Sequence, residues 1–182
     1  MKEYINYGGI FMTYDKKIAI VYKTKYGSTM KYAGWLAMKL DADLYEISDV
    51  GRWDLLKYKT IIFGSPIYNS KLYLANYLKE KYNTIQSKNI ILFCTGLDLQ
   101  SREDIINNNF EDKEMINKIK FFFLEGSINF DDLSIIDKAK LKIYNRTNYL
   151  LELKNLERSI NIDRSYKHTI TPIVDYAIHK TY

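Results

Sequence analysis

The chain carries one cysteine, two prolines and two histidines in 182 residues. A lone thiol builds neither a disulfide framework nor a thiolate zinc site, so the expected setting is a reducing cytoplasm. No uninterrupted apolar run approaches the ~20 residues of a membrane span, and the first residues lack the basic-then-apolar pattern of a secretory signal. His168 and His179 have no carboxylate at ligand spacing, which argues against a metal centre. There is no Gly-x-Ser-x-Gly elbow and no readable Ser–His pair, so nothing points to nucleophilic hydrolysis. Neither Gly-Lys-Ser/Thr nor Gly-x-Gly-x-x-Gly occurs, which disfavours a nucleoside triphosphate or a dinucleotide. With no internal repeat, low-complexity tract or Pro/Gly/Ser linker, one domain is the simplest organisation.

Apolar residues make up 47% of the chain, enough for one globular domain with a sizeable core. The net charge of +5 is unevenly placed. Residues 1–137 hold 18 basic and 18 acidic residues, whereas residues 138–182 hold nine and four. A modest basic excess reads first as a solvated face, and leaves open an anionic membrane surface or an acidic partner. No aromatic–basic pattern accompanies it, so nucleic acid is disfavoured. Residues Met1–Lys17 are polar around Tyr7-Gly8-Gly9 and read as a loose N-terminal extension, with Met12 as an alternative start.

From residue 18 onward, apolar runs and helical spacings alternate. Ile18–Tyr22 reads as a strand buried on both faces. Met30, Ala33, Leu36, Ala37 and Leu40 then recur at helical spacing, predicting a helix over about Thr29–Leu40. Asp43–Ile47, Thr60–Gly64, Asn89–Cys94 and Lys120–Leu124 read as further strands, with a brief helical turn around Leu55, Leu56 and Tyr58. Leu72, Ala75, Leu78, Tyr82 and Ile85 mark a second helix, and Ser101–Asn117 contains a third. Cys94, at the end of a buried strand, reads as a small core hydrophobe. Asp131-Asp132 reads as a charge pair at a helix start, opening a helical insert at about 131–162 that carries Leu133, Ile136, Ala139, Leu141, Ile143, Leu150, Leu153 and Leu156. In the last helix Thr171 is the expected cap and Pro172 the first helical residue, with Ile173, Val174, Ala177 and Ile178 toward the sheet. This order predicts an α/β fold, a doubly wound sheet of five parallel strands with helices on both faces, over residues 18–182.

In such a sheet, ligands bind beyond the carboxyl ends of the strands, near the point where strand order reverses. Three loops fall there. Thr24-Lys25-Tyr26-Gly27-Ser28-Thr29 offers hydroxyls and a glycine before a helix N-terminus, which suits a lone phosphate. Alone, the motif reads equally as a helix cap. Ser65-Pro66-Ile67-Tyr68 offers a stiff turn and an aromatic face against which a planar ligand can stack. Thr95-Gly96-Leu97-Asp98 can present backbone groups to a polar ring edge. Together they suit a phosphate at one end of a ligand and a flat heterocycle at the other.

Thr24–Thr29 resembles the Ser/Thr-x-Thr-Gly-x-Thr phosphate loop of flavodoxins, and Gly64–Tyr68 resembles the flavodoxin loop beside the isoalloxazine ring. Phe123-Leu124-Glu125-Gly126 with Phe130-Asp131, and Thr171–Tyr176 in the last helix, are similar to the branch that includes menaquinone-dependent protoporphyrinogen oxidases. The resemblance implies non-covalent FMN. It assigns the phosphate to Thr24, Lys25, Tyr26, Gly27, Ser28 and Thr29. It assigns one side of the ring to Ser65, Pro66, Ile67 and Tyr68, and the other side or the pyrimidine edge to Thr95, Gly96 and Leu97. It departs from the family at Tyr26, where a small hydroxyl residue is usual, in lacking an aromatic on the third loop, and in its basic balance. The branch implies that the insert serves oligomerisation or contact with a membrane quinone, and so a cytoplasmic protein or one at the inner membrane face. Three readings follow. One is an FMN oxidoreductase passing electrons to or from a quinone or porphyrinogen-type substrate. The second is a carrier serving redox partner proteins. The third is a cofactor-less interaction module with a basic tail.

Overall fold

The computed structural model describes residues 4–7, 10–13, 16–51, 54–97, 99, 101–134, 137–138 and 161–182. Five strands form a parallel sheet: β3 (Ile18–Tyr22), β4 (Asp43–Glu46), β5 (Thr60–Tyr68), β7 (Asn89–Gly96) and β8 (Ile119–Glu125). Their spatial order is β4-β3-β5-β7-β8, with the short β6 (Lys71–Leu72) antiparallel to the end of β5. The order reverses between β3 and β5, so the crevice of a doubly wound sheet opens at the carboxyl ends of those two strands.

Alternate residues of each strand feed two separate cores. Ile18, Ile20, Ile62, Ile91 and Phe93 pack with α1 (Ser28–Leu40) and α5 (Thr171–Thr181). Ala19, Val21, Ile61, Phe63, Ile90, Leu92 and Cys94 pack on the other face with α2 (Ala75–Ile85), α3 (Arg102–Asn107) and α4 (Lys113–Lys118). Burial on both faces is why these strands read as continuous apolar runs rather than alternating ones.

Several boundaries differ from the sequence reading. β5 does not stop at Gly64. It runs through Ser65-Pro66 to Tyr68 and turns at Asn69-Ser70, both at positive φ (50° and 57°), into β6. That is the signature of a two-residue hairpin turn. Pro66 is tolerated because β3 ends opposite Gly64 and offers no ladder partner beyond it. β7 likewise continues to Thr95-Gly96. The third helix divides into α3 and α4. Asn109, between them, is buried, donates to Ser70 O and Ile105 O, and accepts from Leu72 N, which pins the β5–β6 hairpin. Met30 and Ile178 are exposed instead of facing the core. The buried face of α1 is Ser28, Thr29, Tyr32, Ala33, Leu36 and Leu40. Thr171 lies inside α5 and Ile170 caps it without a side-chain bond.

At the N-terminus, β1 (Tyr4–Tyr7) and β2 (Ile10–Thr13) pair antiparallel where a loose extension was expected. After β8, Ser127–Asn129 (β9) pairs antiparallel with Asn161–Asp163 (β10). The helical insert expected at about 131–162 begins after β9, and its last residues, Asn161 and Ile162, belong to strand β10 instead of a helix. Of it, Phe130–Asp132 forms a 3-10 turn that includes Asp131-Asp132, and Leu133 is buried. Ile136, Ala139, Leu141, Ile143, Leu150, Leu153 and Leu156 lie outside the described residues. No helix among the described residues is long and apolar enough to cross a membrane.

Gly64 shows how tightly the two cores close around β5. A Cβ built there would stand 2.3 Å from Cζ of Phe93, a fully buried ring. Gly64→Ala should therefore lower unfolding stability by about 1–3 kcal/mol through overpacking. Denaturant titration with circular dichroism checks this, and an unchanged midpoint would contradict it.

Candidate functional site

The expected loops meet around one cavity of about 420 Å³ at the carboxyl edge of the sheet. That size is within the range of small-molecule sites, ~300–1,000 Å³. Thr24, Lys25, Tyr26, Ser28, Thr29, Pro66, Ile67, Tyr68, Thr95, Gly96 and Leu97 all line it. Gly27 and Ser65 do not. Gly27 holds φ at 87°, and a Cβ there would meet nothing within 4 Å, so its glycine is required by backbone conformation rather than by space. Ser65 is fully buried, with its hydroxyl accepting from Leu74 N and donating to Pro66 O. Asp98 lies outside the described residues.

The hydroxyls of the first loop are already engaged within the protein. Thr24 Oγ1 accepts from Gly27 N at 3.0 Å and so shapes the turn, keeping its own proton to donate. Thr29 Oγ1 and Thr95 Oγ1 share a buried hydrogen bond of 2.7 Å joining the first and third loops. Because one hydroxyl of that pair donates, the other retains its proton for a ligand. Ser28 Oγ accepts from Ser127 N at 2.8 Å, and contacts Ser127 Oγ at 2.8 Å and Ser127 O at 3.1 Å. These contacts use up its single proton and both lone pairs, so Ser28 holds the base of β9. At the start of α1, Gly27 supplies no side-chain cap and the first turn holds no acidic residue. Its amides are left to an anion.

Residues that the sequence reading did not assign to the site also line the cavity: Gly126, Ser127, Ile128, Leu133 and Asp137. The Asp137 carboxylate is 2.8 Å from Lys25 Nζ and accepts from the phenols of Tyr26 and Tyr68. Burial alone would raise Asp137, but Lys25, Tyr26, Tyr68 and Ser134 outweigh it and hold the carboxyl well below the usual range. Partial burial opposes the Lys25 ammonium, yet Asp137 and Tyr26 hold it above its ordinary value. Desolvation, reinforced by Asp137, raises the Tyr26 phenol. A lone aspartate 112 residues from its lysine leaves no local sequence signal. The other singled-out groups lie elsewhere. Cys94 is fully buried and its thiol pushed up by desolvation, and His168 stacks on Tyr166. Among the described residues no cluster of His, Cys, Asp and Glu could hold a metal ion.

Residues 19–149 match the family model described as a flavodoxin domain. The chain belongs to the flavodoxin-domain family. Membership implies FMN as the cofactor and electron transfer as the activity. The donor set fits that cofactor: helix amides, threonine hydroxyls and Lys25 for a phosphate, and Ile67, Tyr68 and Leu97 for a flat ring. Among solved structures, oxidised Flavodoxin 2 from Bacillus cereus shares 21% identity over 60% of this chain and 84% of that chain, with a TM-score of 0.47. Two-electron-reduced Megasphaera elsdenii flavodoxin shares 15% over 58% and 84%, with a TM-score of 0.45. A flavodoxin from the domain Archaea shares 17% over 71% and 96%, with a TM-score of 0.42. No curated protein matches the chain in sequence.

Beside the site, Lys31 Nζ is 2.7 Å from Asp163 Oδ2 at the end of β10. Lys31 and the Ser165 hydroxyl and backbone N–H hold Asp163 down to about 2. Depressed carboxylates stabilise the fold above their ordinary pKa, ~3.9, and lose that contribution as pH falls through the folded value. Stability should thus fall on acidification below about pH 4, with the Asp163 part lost by about pH 2. The Asp137→Asn/Asp163→Asn double variant should lose less over that window. Urea midpoints measured from pH 6 downward, with parent and variant falling in parallel, would contradict this.

Proposed function

We propose that this chain is an FMN-dependent oxidoreductase that passes electrons to or from a small planar substrate of quinone or porphyrinogen type. The observation that carries the reading is the fourth wall of the cavity. Ile128 and Leu133 add apolar surface to the cavity beyond the three loops, which suits a small planar substrate, and Asp137 stands with them. The similarity of Phe123–Gly126 and Thr171–Tyr176 to the menaquinone-dependent protoporphyrinogen oxidase branch supports the same reading.

FMN, when bound, supplies a centre that takes up one or two electrons. In this reading, Thr24, Thr29 and the first amides of α1 would hold its phosphate, with Lys25 as the counter-charge. Gly27 sets the backbone that aims those amides. Tyr68, held by the hairpin that Asn109 pins, would form one wall of the ring site with Pro66 and Ile67. Thr95, Gly96 and Leu97 would form the other wall. Leu97 lines the cavity yet is 36% exposed, which favours the alternative of a carrier whose protein partners dock there.

Purified protein mixed with FMN should shift and structure the visible flavin bands at micromolar concentration. Gly27→Asp should abolish that shift while its circular dichroism stays native, because it strains a positive-φ position and adds a carboxylate to the loop. An unshifted parent spectrum would overturn the cofactor assignment. Reduced flavoprotein that exchanges electrons with protein acceptors but turns over neither quinone nor porphyrinogen would favour the carrier.

A further inference from the structure

Asp137 reaches the cavity from outside all three loops, and its carboxylate is engaged at both oxygens. Lys25 and Tyr26 meet Oδ2 and Tyr68 meets Oδ1, while its own backbone N–H donates to Ser134 Oγ at 3.1 Å. Its side chain is 8% exposed and that of Lys25 is 25% exposed. Lys25 Nζ also sits over the Tyr68 ring, 3.4 Å from the centroid, and 5.1 Å from that of Tyr26. One carboxylate thus ties the phosphate loop to the aromatic wall of the ring site.

Lys25 is the sole charged residue in Thr24–Thr29. A phosphate monoester carries about −1.5 to −2 charges near neutral pH. Seated on that loop, it would meet a largely buried carboxylate already paired with the cation it needs. One ammonium cannot fully pair with two anions at once, and a like charge at close range raises the cost of bringing in the second. The planar part of a flavin carries no such charge and would not meet this conflict.

We propose that Asp137 is an internal competitor for the phosphate of FMN, so that cofactor loading displaces its carboxylate from Lys25. The inference rests on the FMN reading above. Asp137 is then a specificity-determining residue. It holds affinity for the phosphorylated flavin below what the loop amides, hydroxyls and Lys25 would give without it, and it leaves affinity for the unphosphorylated ring unaltered. It also couples the phosphate loop to the segment that follows β9, since one carboxylate serves both.

The test compares FMN with riboflavin, which has the same ring and no phosphate, by quenching of flavin fluorescence. Asp137→Asn keeps the side-chain shape and removes the charge. It should tighten FMN about tenfold while moving riboflavin by less than about twofold. In a Lys25→Gln background the gain from Asp137→Asn should vanish, because the cation contested by the two anions is gone. Asp137→Ser, checked by circular dichroism, serves if the asparagine variant does not fold. FMN affinity unchanged by Asp137→Asn, or both flavins weakened alike, overturns the proposal while leaving the cofactor reading intact. No binding of either flavin by any of these proteins overturns both.

Discussion

Everything at the site follows from the parallel pairing of β3 with β5 and of β5 with β7. Parallel neighbours cannot be joined by a tight turn, so each needs a crossover, and the crossovers cover both faces. All strands therefore finish at the same edge. Ile62 and Phe63, adjacent in sequence, serve opposite cores, and β5 is fully buried from Thr60 through Ser65. Only past that point, where β3 has ended, does the chain turn its side chains outward to line a cavity. Three segments far apart in sequence are delivered to one place by this constraint alone.

That constraint also explains what could be read from residues. Buried parallel strands announce themselves as apolar runs, so β3, β5 and β7 and their alternation with helices were legible, as was β8 from its phenylalanines although it is only partly buried at the sheet edge, and with them the edge where the cavity opens. Thr24–Thr29 was legible only together with the other two loops, because a glycine and hydroxyls between strand and helix read equally as a helix cap. The hairpin at Asn69-Ser70 was not, because Ser65-Pro66 looks like a break. What permits Pro66 there is the early end of a different strand, a fact of topology that no local window contains. Met30 and Ile178 fit a helical stripe in sequence but fall just outside the face that the sheet covers. The divided third helix was hidden for a similar reason: Asn109 interrupts it to satisfy backbone groups 37 and 39 residues earlier.

The least legible part is the electrostatics. Serine and threonine hydroxyls on the first loop suggest ligand contacts, yet Ser28 is engaged by Ser127, and Thr24 and Thr29 each commit one hydrogen bond, to Gly27 and Thr95. They form a scaffold as well as a lining. The charge at the site is decided by Lys25 and Asp137 together, and Asp137 belongs to a stretch whose sequence advertises only a helix. A site assembled from strand ends can be forecast from pattern, whereas the polar contacts that tune it depend on which distant residues the topology brings alongside.

The short ribbon of β9 and β10 has one more implication. Asn129 and Asn161 are register partners, and the backbone of Arg164 donates to Gly126 at the ribbon's base. The stretch between them thus starts and ends at neighbouring points, and within it Leu133 and Asp137 come back to the cavity. Such a junction behaves like a splice site in the architecture. Natural variation can lengthen, shorten or exchange the spliced stretch without disturbing the sheet, provided that whatever replaces it still offers a group at the position of Asp137. Diversification of this fold is therefore cheapest where the cavity is closed and costliest where it is founded.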